Sequence, residues 1–279
     1  MDTLGTLSQT PFDLIVRKDI AWDFSEVPVH FVEHSTPLVS YLWATISAGA
    51  TPIESFFIRA LLPTLETISG DPKLERDVKA MIAQEAQHSA SHRKLNDHLK
   101  AIGYDIDGIQ AHFKRILDRA TDGLSPLDML GVVSAGEHGL YSIAHIYLAS
   151  ATLRRQIHPQ VDRLFLYHFL EEAEHGAVSH DQYRYFFGND YAHRLRTAFR
   201  ARFVFSMLNE GIELAARGFN HRITFKDRCS LFYYKWIKPG PFRGMVTRLL
   251  AYISPWYKLG FSHEDLDKMK KWNEELYAR

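Results

Sequence analysis

The sequence contains a single cysteine, Cys229, among its 279 residues. One cysteine excludes an internal disulfide framework and any zinc or iron–sulfur site built from several thiolates. A surplus of charge of either sign is also absent, because 33 basic residues balance 33 acidic ones. This balance argues against a nucleic-acid-binding protein that relies on bulk positive charge, and against an acidic tail.

Long apolar runs are missing as well. No window has the roughly 18 consecutive apolar residues that indicate a transmembrane helix. Residues 1–20 lack the basic start, the sustained apolar stretch and the small-residue cleavage site of a secretory signal. We therefore expect a cytoplasmic protein, with peripheral contact at the inner membrane as the alternative.

Proline and glycine divide the chain into long amphipathic stretches, and no glycine- or serine-rich linker separates them. A capping side chain followed by proline is the preferred start of a helix. Four long helices are predicted to start at Thr51-Pro52, Asp71-Pro72, Ser125-Pro126 and His158-Pro159 and to end near Ile68, Ile102, Ala151 and Gly188. A short helix over about 107–120 and a fifth long helix from about Asp190 to Arg217 complete the set.

Strand signals are few, since only residues 27–33 alternate apolar and polar side chains cleanly. Several long helices with little strand predict an all-α fold. The connection between the second and third long helices spans about 20 residues, long enough to cross the end of a bundle. We predict a single domain over 1–279, with a ferritin-like four-helix bundle over about 36–217 and additional C-terminal helices over about 218–279.

Each of the four long helices carries a glutamate where helical periodicity predicts an apolar face. The four are Glu54, Glu85, Glu137 and Glu172, and the second and fourth are followed three residues later by His88 and His175. Residues i and i+3 are neighbours on a helix, so the two side chains of one Glu-x-x-His pattern reach adjacent coordination points. Four carboxylates and two imidazoles form a cage for two divalent cations, without which the buried carboxylates would repel one another.

A third candidate imidazole ligand is His168, which lies four residues before Glu172 on the same helical stripe. Glu171 competes with Glu172 for the ligand position, and we favour Glu172. Glu174 points about 160° away from Glu172 around the helix and is expected to face solvent. His92 is expected to be a surface or core histidine, with a position lining the site or a hydrogen bond to a ligand as the alternative.

Carboxylate and imidazole ligands without sulfur suit iron or manganese. We expect two iron ions, with Mn/Fe and Mn/Mn pairs as alternatives. Around the metals, His145 is expected either to pack in the core or to contact a ligand from outside, and Asp181 and Tyr183 are candidates for hydrogen bonds to the ligands.

The motifs resemble a bacterial family of predicted metal-dependent hydrolases with a ferritin-like core. The resembling segments, within about residues 50–185, are TPIESFFIRAL, MIAQEAQHSASHRKLNDHLKAIGYD, the GEHGLYS region and LYHFLEEAEHGAVSHDQY. The resemblance implies the same seven ligands, because each falls on a family motif position. Gly176 departs from the motif, which has lysine there. The ligand set is also similar to that of the di-iron arylamine N-oxygenases.

Such a site is compatible with three reactions. We expect an O2-activating oxidoreductase, meaning an oxygenase, hydroxylase or desaturase that uses O2, an electron donor and a small or lipid-like apolar substrate. A metal-dependent hydrolase, in which two metal ions activate water, is the alternative. Ferroxidase activity or iron handling is a further alternative. We expect the chain to act as a monomer or a homodimer.

Residues 221–260 differ from the rest of the chain in charge and aromatic content. They contain eight basic residues, one acid and nine aromatic residues, so their local charge is 8 − 1 = +7. This mixture is typical of an element at a lipid–water interface. A subdomain that packs its aromatic rings on the bundle has the same composition, and we favour that interpretation. No nucleic-acid-binding motif is present, so we expect no nucleic-acid partner.

Overall fold

The computed structural model describes residues 7–201 and 204–278, with the backbone alone at residues 204 and 205. The helices in this part of the chain are α1 Pro37–Leu65, α2 Pro72–Ala101, α3 Ile106–Thr121, α4 Pro126–Ala149, α5 Ala151–Arg154, α6 Pro159–Phe187, α7 Tyr191–Ala201, α8 Val204–Gly218, α9 Phe225–Trp236, α10 Met245–Tyr252 and α11 His263–Tyr277. The described residues form no strand, which confirms the all-α prediction. A membrane-spanning helix is likewise absent among them.

Helices α1, α2, α4 and α6 form a four-helix bundle, in which α1 and α6 each contact both α2 and α4. Pairs of contacting residues show that α2 and α6 run antiparallel. His92 of α2 lies opposite His168 of α6, whereas Gln84, two turns earlier on α2, lies opposite His175, further along α6. The long connection from α2 to α4 contains α3, as the bundle topology predicted from the sequence requires.

Capping side chains start two of the bundle helices at the predicted positions. Asp71 accepts a hydrogen bond from the backbone N–H of Leu74, at 3.0 Å, and Ser125 accepts one from Asp128, at 3.1 Å. Proline follows each cap at the first helical position, where its missing N–H leaves no bond unmade. The predicted start at His158-Pro159 is confirmed too, since α6 begins at Pro159.

The predicted start of the first long helix at Thr51-Pro52 is wrong. Helix α1 starts at Pro37, after Thr36, and continues through Pro52 in its interior. The pair Thr36-Pro37 has the same start signal, and the residues between the two prolines are almost all buried in the bundle. Tertiary packing therefore compensates for the one backbone hydrogen bond that Pro52 cannot form.

Residues 27–33 form no strand, although apolar and polar side chains alternate along them. Only an isolated bridge joins Val32 to Ile157. Val27, Phe31 and Val32 are buried in the core instead. The predicted helix from Asp190 to Arg217 is helical on both sides of residues 202–203, which lie outside the described residues. Helix α7 packs on α4, and α8 packs on α1 and α3.

Residues 7–35 precede α1 and run over the bundle without forming a helix. The backbone N–H of Gln9 donates to Asp181 of α6 at 2.6 Å, and Thr10 donates to Asp77 of α2 at 2.7 Å. Trp22 donates to Ser91 of α2 at 3.0 Å. This N-terminal segment therefore covers the side of the bundle formed by α2 and α6.

Candidate metal centre

The bundle brings the seven predicted ligands into one buried cluster. The cluster consists of Glu54 from α1, Glu85 and His88 from α2, Glu137 from α4, and His168, Glu172 and His175 from α6. Each side chain is at least nine-tenths buried. These side chains lie at the same level along the bundle, so residues far apart in sequence meet in its interior.

Two glutamates lie between the two inward-facing histidines. Glu85 places one oxygen 3.2 Å from Nδ1 of His175 and the other 3.8 Å from Nδ1 of His88. Glu172 does the same, at 3.6 Å from His175 and 3.7 Å from His88. Each carboxylate therefore faces both halves of the cluster, as a ligand shared between two metal ions would.

The remaining residues lie at the two ends of the cluster. Glu137 lies 3.9 Å from Nδ1 of His175, at one end. Glu54 lies at the other end, 3.6 Å from Nδ1 of His168, whose Nε2 is 3.2 Å from Glu172. The donor atoms form overlapping groups, each within 4.8 Å, and a metal ion fits within such a distance.

Buried polar atoms without hydrogen bonds converge in this cluster. Within the described part of the chain, no hydrogen bond of normal geometry reaches the carboxylate oxygens or the Nδ1 atoms of these residues: Glu54, Glu85, His88, Glu137, Glu172 and His175. Unpaired buried carboxylates are very costly. Burial raises the pKa of Glu54 and that of Glu137 well above the usual range. Two divalent cations would supply the missing partners, so these residues fit a dinuclear metal site.

The central residues have pKa shifts of the opposite kind. Burial acts to lower the pKa of His88, but its contacts with Glu171 and Glu85 raise it to about 10. Burial acts to raise the pKa of Glu172, but the positive charge of His175 holds it well below the usual range. The pKa of His175 is raised as well, by its contacts with Glu172 and Glu85, whereas burial lowers that of His168. Without metal, the cluster therefore holds protons on His88 and His175, and metal ions that bind must displace them.

Partners on the outer side orient the two inward-facing histidines. Nε2 of His88 lies 2.9 Å from Oε2 of Glu171, and Nε2 of His175 donates to Oε1 of Gln84 at 3.0 Å. An outer partner of this kind fixes the ring and directs the other nitrogen to the metal. Glu171 thus lies outside the cluster and Glu172 inside it, as the sequence interpretation favoured.

Arg17 of the N-terminal segment joins both outer contacts. It donates to Oε1 of Glu171 at 2.8 Å and to Oε1 of Glu174 at 3.2 Å. Glu174 in turn accepts a hydrogen bond from Gln84 at 2.9 Å. The expectation that Glu174 faces solvent is therefore wrong: its exposed fraction is 5%, because the N-terminal segment covers this side of α6.

His92 is a core histidine, as expected, and it also contacts a predicted ligand. Its Nε2 lies 3.0 Å from Nδ1 of His168, and its Nδ1 lies 2.9 Å from the hydroxyl of Ser47. Asn96 accepts a hydrogen bond from the same hydroxyl, at 2.9 Å. The four residues form a polar chain that leads from α1 and α2 to one end of the cluster.

Three other side chains considered in the sequence analysis contact residues outside the cluster. Asp181 accepts the backbone N–H of Gln9, and the hydroxyl of Tyr183 contacts His193, so neither of the predicted hydrogen bonds to ligands is present. His145 packs edge-on against Tyr141, in line with its predicted packing role.

Gly176, where the resembled motif carries lysine, lies against Tyr141 of α4. A Cβ at this position would lie 2.9 Å from atoms of Tyr141. Tyr141 thus occupies the space that a longer side chain would need. The departure from the motif changes the packing beside His175 and leaves the seven donor residues in place.

A family model described as a predicted metal-dependent hydrolase matches residues 16–258. No curated protein and no solved structure matches the chain. The match agrees with the resemblance found in the motifs and extends it over most of the sequence. Its description agrees with the hydrolase alternative and gives no support to an O2-activating oxidoreductase.

Proposed function

The chain belongs to the family of predicted metal-dependent hydrolases, and on this premise we propose that it is a hydrolase with a dinuclear metal centre in the bundle core. The observation that carries the proposal is a pair of overlapping donor groups that share Glu85, one of which includes His88 and the other His175. Two metal positions with a shared carboxylate are the arrangement of a dimetal carboxylate site.

We assign the metal ligands to the seven residues predicted from the sequence. One metal ion would be held mainly by Glu54 and His88, and the other by Glu137 and His175. Glu85 and Glu172 would be shared, and His168 would complete the first position. Oxygen and nitrogen donors without sulfur support iron or manganese, and we propose an Fe/Fe pair with Mn/Fe and Mn/Mn as the alternatives.

Two bound metal ions would activate a water molecule and polarise the bond to be cleaved. The residues of the chain orient the ligands and exclude bulk water. Glu171 and Gln84 fix the rings of His88 and His175, and the surrounding helices bury every ligand. The seven ligands are thus enclosed in the bundle core, and this supports a small-molecule substrate. A cleft lined by Arg154, among others, lies at the start of α6, and none of the seven ligands lines it.

An O2-activating oxidoreductase is the second candidate, and the donor set favours it. Four carboxylates and three imidazoles, all buried, form a ligand set suited to iron. All seven come from helices, whereas dimetal hydrolases more often take ligands from loops at the ends of a sheet. This candidate requires O2 and an external electron donor, and hydrolysis requires neither.

Metal analysis of purified protein, loaded with Fe(II) or Mn(II), tests the dinuclear site. We expect two metal ions per chain, and fewer in Glu85→Gln. Asp77→Asn is the matched control, because Asp77 is also a buried acid of α2 but contacts Lys73 and Thr10 instead of the cluster. Fewer than two ions in the wild type, with no change in Glu85→Gln, would contradict the proposal.

Anaerobic assay of the metal-loaded protein separates the reactions. Release of product from ester, amide or phosphoester model substrates without O2 and without a reductant supports hydrolysis. Substrate-dependent O2 consumption, with no anaerobic turnover, would replace hydrolysis by the oxidoreductase. Fe(II) oxidation without turnover of any organic substrate would indicate iron handling instead.

A further inference from the structure

Exposed apolar side chains are concentrated in α9, in α10 and in the segment after α10. Phe225 and Phe232 lie seven residues apart on one stripe of α9, and their exposed fractions are 82% and 59%. Val246 and Leu250 lie one turn apart on α10, and Trp256 is 85% exposed. Four cations in the same part of the chain are also exposed: Lys226, Lys238, Arg243 and Lys258. We name the five apolar residues and these four cations together the basic aromatic surface.

The two exposed stripes belong to helices that pack on neighbouring members of the bundle. Helix α9 packs on α1 and helix α10 packs on α4, and α1 and α4 are neighbours. Trp43 of α1 donates a hydrogen bond to the hydroxyl of Tyr234 on α9, and His138 of α4 donates one to the carbonyl of Arg248 on α10. Both helices are therefore fixed to the bundle by buried contacts, with their apolar stripes left exposed.

Packing on the bundle accounts for part of the aromatic content of residues 221–260. Tyr234 and Phe242 are buried, as the packing interpretation favoured from the sequence requires. Phe225, Phe232 and Trp256 are exposed and contribute little to that packing. Exposed apolar groups of this size, gathered in one region, mark an interaction site.

The charge of this region has one sign. Residues 221–260 carry eight basic residues and one acid, a balance of 8 − 1 = +7. The single acid, Asp227, forms a capping box with Thr224 at the start of α9. A second copy of the same surface would be repelled, whereas an anionic partner would be attracted.

We propose that the basic aromatic surface binds the surface of an anionic lipid bilayer. Phe225, Phe232 and Trp256 would enter the headgroup region, where aromatic rings are favoured, and the lysines and arginines would contact the anionic headgroups. Val246 and Leu250 offer aliphatic side chains, which suit acyl chains and add nothing to nucleic-acid binding. The chain would lie on the membrane, since its described helices include none that could cross it. This proposal is independent of the metal centre.

Sedimentation of the full chain with vesicles tests the proposal. At low salt we expect most of the protein to pellet with vesicles that contain phosphatidylglycerol, and little to pellet with phosphatidylcholine alone. High salt should release it, because exposed charges are screened. Equal pelleting with both vesicle types, or none with either, would overturn the proposal, and the second result would point to an acidic protein partner.

Matched variants locate the binding surface. Phe225→Ser combined with Trp256→Ser is expected to abolish pelleting, whereas Ile15→Ser combined with Tyr277→Ser, at exposed apolar positions elsewhere, should have no effect. Lys226→Gln is expected to weaken binding roughly fivefold. Equal losses in the two double variants, with both folded by circular dichroism, would refute the assignment.

Intrinsic fluorescence gives a second readout. Trp256 is far more exposed than Trp43 or Trp272, which are buried. Anionic vesicles are expected to shift the emission to shorter wavelength, and Trp256→Phe should lose that shift while it still pellets. Pelleting of the wild type without any shift would place the contact elsewhere and overturn the proposed surface.

Discussion

Replacement of Arg17 by methionine is expected to destabilise the folded protein by about 3 kcal/mol. Methionine keeps an unbranched stem but leaves the buried carboxylates of Glu171 and Glu174 without their cation, which lies 2.8 and 3.2 Å away. Removal of one partner from a buried ion pair costs roughly 3–5 kcal/mol, because a charge stays behind unpaired. The lower end applies here, since burial already raises the pKa of Glu174 and this carboxyl can take up a proton.

The same replacement is expected to weaken metal binding roughly tenfold. Glu171 orients His88, and Glu174 holds Gln84, which orients the other inward-facing histidine. Loss of an outer partner of a metal ligand typically costs about 10–100-fold in metal affinity. Because Arg17 acts through these two carboxylates, we expect an effect at the low end of this range.

Urea unfolding of the metal-free protein at pH 7 measures the first effect, and titration with Mn(II) measures the second. Arg154→Met is the control, because Arg154 is also buried and contacts Asp162 and Glu275 away from the cluster. Both variants should lose stability, but only Arg17→Met should lose metal affinity. The reasoning is refuted if the two variants bind Mn(II) equally well.

Three further predictions concern single positions. Glu172→Gln should lose bound metal, whereas Glu171→Gln should retain two ions at lower affinity, and equal metal contents would contradict their assignment. Burial raises the pKa of Asp181 to about 7, so stability should fall as pH rises from about 4 to 7. Asp181→Asn should remove that fall and be more stable at pH 8, by up to about 4 kcal/mol in urea unfolding. Gly176→Ala should cost about 1–3 kcal/mol through its contact with Tyr141, and an unchanged urea midpoint would refute this.

The residues of the cluster could be predicted because the pattern that marks each of them lies within a single helix. A glutamate on an apolar helical face is unusual wherever the helix packs, and the spacing of Glu85 to His88 places both side chains on that face. Four such helices in the right order predict both the bundle and its cluster. A capping residue followed by proline predicted the helix starts at Asp71 and Ser125 correctly, and at both a side-chain hydrogen bond caps the helix.

What the sequence could not show depends on contacts between distant segments. Arg17 lies 154 residues before Glu171, in a segment with no regular structure, and nothing local links the two. The same segment buries Glu174, although helical periodicity alone places that side chain on the far face of α6. The helix start predicted at Pro52 was wrong for a related reason. A proline in a helix interior is tolerated only where tertiary packing outweighs the lost backbone hydrogen bond, and the sequence does not show that packing.

The route of the N-terminal segment also bears on how the protein is made. This segment leaves the ribosome before any helix of the bundle, yet its partner Asp77 lies on α2 and its partners Asp181 and Glu171 lie on α6. At roughly 5–20 residues per second, α6 follows residue 17 by many seconds. During that interval Arg17 lacks both of its carboxylate partners, and its contacts with Glu171 and Glu174 can form only after α6 has docked. Assembly of the site is therefore a late event in synthesis, and metal that arrives earlier meets an incomplete set of ligands.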